Sequence, residues 1–160
     1  MKLNSIIRAL PVIAMAAATT PALALDAKVA KDSAATPEAA WAAVGDFCAI
    51  GTWHPAVEKC EISSKDGATF RTLTLKGGGT ILEKQIAFDK AAMSYSYTIE
   101  SSPLPVANYK STLKVVPKDK GSTIEWSGNF DAKGAPDADA VKTISGIYEA
   151  GVGALVAKAK

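Results

Sequence analysis

The spacing of hydrophobic positions changes twice along this chain, and those changes divide it into elements. Residues 26–33 alternate, with Ala27, Val29 and Ala30 apolar, and predict a first strand. Thr36-Pro37-Glu38 has the form of a helix start. A threonine hydroxyl can accept from a free backbone N–H there, and proline suits the first helical position. Trp41, Val44 and Phe47 follow at helical spacing, so the helix is expected to end near Phe47. Residues 48–53 read as a second, shorter helix, stopped by Pro55.

From Val57 the period becomes two. Strands are expected at 57–64, 69–75, 80–88, 93–101, 106–116 and 122–132. Turn residues separate them: Lys65-Asp66-Gly67, Gly77-Gly78-Gly79, the stretch 89–92, Ser102-Pro103-Leu104-Pro105 and Asp119-Lys120-Gly121. After Gly134-Ala135-Pro136-Asp137 the helical period returns. Ile144, Ile147, Tyr148, Gly151, Val152, Leu155 and Ala159 form one stripe, the mark of a helix lying on a core. Gly146, Gly151 and Gly153 each cost about 1 kcal/mol against alanine in such a helix. A glycine on the stripe either lets a neighbour approach closely or leaves room for a ligand.

Alternation also orients the strands. Ile124, Trp126, Gly128 and Phe130 share an inward face, as do Tyr109, Ser111, Leu113 and Val115, and Tyr95, Tyr97 and Ile99. The hairpin around Gly78 is mixed. Its odd positions hold Arg71, Leu73, Leu75, Ile81, Glu83, Gln85 and Ala87, while its even positions hold Phe70, Leu82, Ile86 and Phe88. A one-residue slip exchanges the faces, so the inward one stays open. With the odd face inward, Arg71 and Glu83 enter the concave side near Tyr97 and Tyr109. Buried charge is costly unless paired. Such a surface is either a pocket with polar anchors or a core holding a structural ion pair.

The first two dozen residues have another character. Lys2 and Arg8 give a positive start, residues 6–18 are otherwise almost wholly apolar or small, and Ala22-Leu23-Ala24 is a small-x-small triplet. This order predicts a signal peptide at 1–24, cleaved after Ala24. The run falls short of the roughly 20 apolar residues of a membrane anchor. Residues 25–160 are then expected to form a single periplasmic or secreted domain with no stable membrane insertion after cleavage. Of 18 basic residues two lie in that leader, against 16 acidic residues in all, so the remainder is balanced. No basic patch with interleaved aromatics supports nucleic-acid binding.

Cys48 and Cys60 are the two cysteines. In an exported chain the pair reads as one disulfide, with free thiols or a metal site as the rival readings. A metal site lacks ligands, because His54 is the sole histidine. No metal or cofactor is expected.

The order strand, two helices, six strands and long helix resembles the START-like (SRPBCC) superfamily, in particular its polyketide cyclase/dehydrase and lipid-transport branch. Ala35-Thr36-Pro37-Glu38-Ala39-Ala40-Trp41 with Asp46-Phe47 is similar to the family's opening helix, and Trp53-His54-Pro55 to its short-helix exit. Glu83 with Asp89, Tyr95-Ser96-Tyr97, Leu104-Pro105-Val106-Ala107-Asn108-Tyr109 and Ile124-Glu125-Trp126 are similar to its sheet. The resemblance implies an α+β helix-grip fold, a curved antiparallel sheet wrapped around a long C-terminal helix. It also implies a cavity between them for a hydrophobic or amphipathic molecule. Fold alone names no reaction.

The candidate ligand-binding residues are Arg71, Leu73, Glu83, Tyr97, Tyr109, Leu113, Trp126, Phe130, Tyr148 and Val152. His54 and the loops at 77–79 and 102–105 are expected at the mouth. No catalytic residue is assigned. A nucleophile elbow and a second histidine are both missing, and Gly77-Gly78-Gly79 lacks the Lys-Ser/Thr of a phosphate loop. The leading expectation is a carrier or sensor of a small hydrophobic ligand. A cyclase- or dehydrase-like enzyme using Arg71, Glu83 and Tyr97, and an accessory protein binding another exported protein, are the alternatives.

Overall fold

A computed structural model describes residues 24–159, and the expected signal peptide lies outside them except for Ala24. The elements run β1 (Leu25–Ser33), α1 (Pro37–Val44), α2 (Ile50–Trp53), β2 (Val57–Lys65), β3 (Ala68–Leu75), β4 (Thr80–Asp89), β5 (Ser94–Ser101), β6 (Val106–Pro117), β7 (Ser122–Ala132) and α3 (Asp137–Lys158). The strands form one antiparallel sheet in the order β1-β7-β6-β5-β4-β3-β2. β2 to β7 follow as a meander, and β1 adds at the far edge beside β7. The sheet curves around α3, which packs chiefly on β1 and β7. This is the helix-grip α+β arrangement.

Local chemistry sets the helix ends. Thr36 Oγ1 accepts from the Ala39 N–H at 3.2 Å, and Pro37 opens α1. The helix stops at Val44, before the expected Phe47, because Gly45 takes a φ of 72° and leaves the helical path. Phe47 is buried beyond the helix end. Trp53 Nε1–H donates to the Val44 carbonyl at 3.1 Å and fastens α2 to α1. Cys48 and Cys60 are disulfide-bonded, with Cα atoms 5.6 Å apart, tying the α1–α2 junction to edge strand β2.

The mixed hairpin resolves into two phases. Arg71 pairs with Glu83 and Leu73 with Ile81, and this odd row is buried. Against β5 the register then shifts between Gln85 and Ala87. Ile86 is the extra residue of that bulge and is 48% exposed. Past it, the even-numbered Phe88 turns inward, its ring 5.6 Å from Trp41 and 5.9 Å from Tyr95. Another shift, between Ala107 and Lys110, passes through Asn108 at φ 51°. It lets Val106 and Tyr109 both be buried despite opposite parity. Ile62 is 51% exposed, because β2 lies at the sheet edge. Among the described residues, no helix is long and apolar enough to cross a membrane.

Candidate ligand cavity

Between the sheet, α2 and α3 lies a cavity of about 300 Å³. Each element contributes through its inward row. Leu73 and Leu75 come from β3, Ile81 and Glu83 from β4, Tyr97 and Ile99 from β5, Tyr109 from β6 and Trp126 from β7. α3 supplies Ile144 and Ile147. Ile50, His54, Ala56 and Val57 close the side at α2, and Gly77, Gly78 and Leu104 lie at the loop end. The wall is overwhelmingly apolar. A larger depression, about 530 Å³, runs over the outer ends of β5 and β6 among Glu100, Lys110 and Lys133. It is an open polar groove and does not lie between the sheet and α3.

The cavity brings together Leu73, Glu83, Tyr97, Tyr109, Trp126 and His54 from the expected set. Leu113, Phe130 and Val152 are buried in the core and do not line it. Tyr148 stands behind the wall, stacked on Trp126 at 4.8 Å. Sequence reasoning missed Ile50, Ala56, Val57, Leu75, Ile81, Ile99 and Ile147 as lining residues, while Leu104 belongs to the expected mouth loop. Parity was a usable signal for Leu75, Ile81 and Ile99, which continue inward rows. Nothing local marks Ala56 or Val57.

Arg71 is 0% exposed and is not part of the wall. Its Nε–H donates to Glu83 Oε2 and its Nη1–H to the Phe47 carbonyl. The guanidinium sits over the rings of Phe47 at 4.0 Å and Tyr97 at 4.9 Å, and Nη2 has no hydrogen-bond partner. Burial works against its charge, but Glu83 and the tyrosines outweigh that, so it stays charged. Burial also pushes the Glu83 carboxyl up, while Arg71 pulls it back. The expected ligand anchor is therefore a buried ion pair, of which only Glu83 reaches the cavity.

His54 is 5% exposed and forms wall rather than mouth. Its Nε2 lies 3.1 Å from the Ile147 carbonyl, and its Nδ1 is 3.2 Å from the Ala56 N–H. A carbonyl only accepts and an amide only donates, so the ring is neutral with its proton on Nε2. Burial, together with the Arg71 and Lys76 charges, lowers its pKa. Both nitrogens are engaged, and neither is free to act as a base. Gly151 makes this seat. A Cβ there would come 2.5 Å from Trp126 Cζ3 and 2.8 Å from His54 Cδ2. The glycine on the stripe serves close approach, not a ligand gap.

A hydroxyl chain lies beside the cavity. Ser111 Oγ donates to the Ser127 carbonyl at 2.8 Å, and Trp126 Nε1–H donates to Ser111 Oγ at 2.9 Å and Tyr97 Oη at 3.1 Å. With the Ser111 proton used, Tyr148 must donate to Ser111 at 3.0 Å, and Tyr109 to Tyr148 at 2.6 Å. Tyr97 is left to donate to Tyr109 across 3.4 Å, a weak bond. Burial pushes the Tyr148 phenol up to about 12 and those of Tyr97 and Tyr109 well above their usual value. Every proton in the chain is therefore in place at neutral pH. Gly128 makes room for this chain, since a Cβ there would collide with the Tyr148 hydroxyl.

Fold and cavity together define a helix-grip protein with a largely apolar cavity between sheet and helix. Residues 24–160 match the family described as polyketide cyclase/dehydrase and lipid transport, and the chain belongs to that family. No curated protein matches it. Among solved structures it is similar to the protein XoxI from Bacillus cereus, at 30% identity and TM-score 0.77, covering 82% of this chain and 93% of that one. A putative uncharacterized protein from Bacillus thuringiensis shows 29% identity and TM-score 0.77, covering 85% of this chain and 100% of its own. The Zhui aromatase/cyclase from Streptomyces sp. R1128 shares the fold at 17% identity and TM-score 0.69, covering 86% and 94%.

Proposed function

We propose that this protein is an exported carrier or sensor that holds one small hydrophobic molecule between its sheet and α3. The observation that carries this reading is the apolar cavity of about 300 Å³, with Glu83 and Tyr97 among its few polar groups. That volume is at the low end of small-molecule sites, which run roughly 300–1,000 Å³. It suits a ligand of up to three rings or a short acyl chain, not a whole diacyl lipid. Leu73, Tyr109 and Trp126 are the proposed apolar contacts, with the loops at 77–79 and 102–105 as the mouth. Export is supported by the leader at 1–24 and by the Cys48–Cys60 disulfide.

No group in the cavity is set up as a free base. His54 is held by two bonds and Glu83 by Arg71. This supports binding over a cyclase- or dehydrase-like reaction. The test is to fill the cavity. Leu75 lines it and is half-buried, so Leu75→Trp should abolish uptake of the neutral fluorophore N-phenyl-1-naphthylamine while leaving the melting temperature near that of the wild type. Undiminished uptake in a folded Leu75→Trp variant would overturn the reading.

A further inference from the structure

If the cavity holds a ligand, as proposed above, its wall also restricts the chemistry of that ligand. Among the residues that line the cavity there is no lysine or arginine. The buried cation behind the wall, Arg71, is turned away into Glu83 and the Phe47 carbonyl. A ligand carboxylate would thus meet no counter-charge and would face Glu83. A ligand ammonium would gain little, because the Glu83 charge is already balanced by Arg71. An unpaired ion in such a site bears a large desolvation cost.

The donors on the wall can be counted in the same way. The His54 Nε2–H is held by Ile147, and the Trp126 Nε1–H is shared by Ser111 and Tyr97. The Tyr109 proton is held by Tyr148 at 2.6 Å. Among these side chains, only Tyr97 has a proton with a poor acceptor, 3.4 Å away. A ligand oxygen that accepts from Tyr97 would improve on that bond and leave nothing orphaned, since Tyr109 Oη still donates to Tyr148.

We propose that the ligand is an uncharged apolar molecule carrying a carbonyl-type oxygen, that this oxygen accepts from Tyr97, and that the cavity excludes carboxylates of the same shape. Tyr97→Phe isolates this bond. Trp126 keeps Ser111 as its acceptor in the variant, so the change orphans no buried donor.

Calorimetric titration at pH 7 with 1-tetralone, tetralin and 1-naphthoate separates the outcomes. Wild type should bind tetralone about fivefold or more tighter than tetralin, the worth of one buried hydrogen bond. Naphthoate should bind roughly a hundredfold weaker than tetralone. Tyr97→Phe should bring tetralone down to the level of tetralin and leave tetralin unchanged. If tetralin binds but tetralone gains nothing from Tyr97, or naphthoate equals tetralone in the wild type, this inference is overturned while the cavity reading stands. If none of the three binds, both fall. The wild-type comparison needs no substitution, so a Tyr97→Phe chain that fails to fold does not rescue the proposal.

Discussion

Two polar side chains show how burial decides what a residue can do. Arg71 and Glu83 were legible as a pair sharing one face of the hairpin, yet the sequence left open whether that face turns inward and divided their role between ligand anchor and structural bridge. The structure places the guanidinium over aromatic rings and fully out of reach, where losing one partner would strand the other's charge. His54 is similar. Being the sole histidine suggests chemistry, but its two nitrogens are held by Ile147 and Ala56 in the neutral form. Its pKa is lowered from the ordinary 6.5, chiefly by burial. Below pH 6.5 the unfolded chain takes up a proton that the folded ring refuses. The His54 contribution is therefore complete above 6.5 and is lost as pH falls from there toward the folded value. Glu83, whose pKa is raised, acts with the opposite sign and loses stability as pH rises through its folded value. An NMR titration of the single histidine should give a midpoint below 6.5. The decline in stability between pH 7 and pH 5 should shrink in His54→Gln. A midpoint at or above 6.5 would contradict the geometry.

At the scale of elements, α3 is fixed by what its glycines touch. Gly151 and Gly146 sit in the same helix and look alike in sequence, but their surroundings differ. Gly151 is wedged against Trp126 and His54, while a Cβ on Gly146 would meet nothing within 4 Å. Alanine improves helix propensity by about 1 kcal/mol at either site. Overpacking a tight site costs typically 1–3 kcal/mol, and the rigid rings here have little room to move. Gly146→Ala should therefore stabilise the fold by up to about 1 kcal/mol. Gly151→Ala should destabilise it by up to about 2 kcal/mol net. Urea denaturation of the two variants checks this, and equal signs would refute the packing argument. The same contrast explains what was legible. The inward rows of β5 and β7 and the stripe of α3 followed directly from period, because no register shift interrupts their inward faces. β4 did not, because the bulge at Ile86 changes phase in mid-strand and leaves no mark in composition. α1 ran short because one glycine at φ 72° outweighed the helical spacing that continued to Phe47.

For the molecule as a whole, the fold was readable from element order, while the site was readable only where it borrows the core's periodicity. The cavity wall at α2 comes from residues brought in by tertiary contacts: Ile50, Ala56 and Val57 carry no pattern that sets them apart. That corner is held from three sides. Trp53 donates to Val44, His54 donates to Ile147, and the disulfide joins the α1–α2 junction to β2. Cys48 and Cys60 are 12 residues apart, so the link closes a short loop. In the chain-entropy view it acts mainly on the unfolded state, restricting it by about 3 kcal/mol. The two hydrogen bonds belong to the folded state and do not depend on the link. Reduction should therefore lower folding stability by about 3 kcal/mol while leaving the cavity assembled. Urea midpoints with and without reductant measure the first part. Uptake of N-phenyl-1-naphthylamine by the reduced protein, below its unfolding transition, measures the second. Unchanged stability would show that the link contributes nothing. Loss of uptake with the fold intact would show that the disulfide, rather than Trp53 and His54, holds the α2 wall in place.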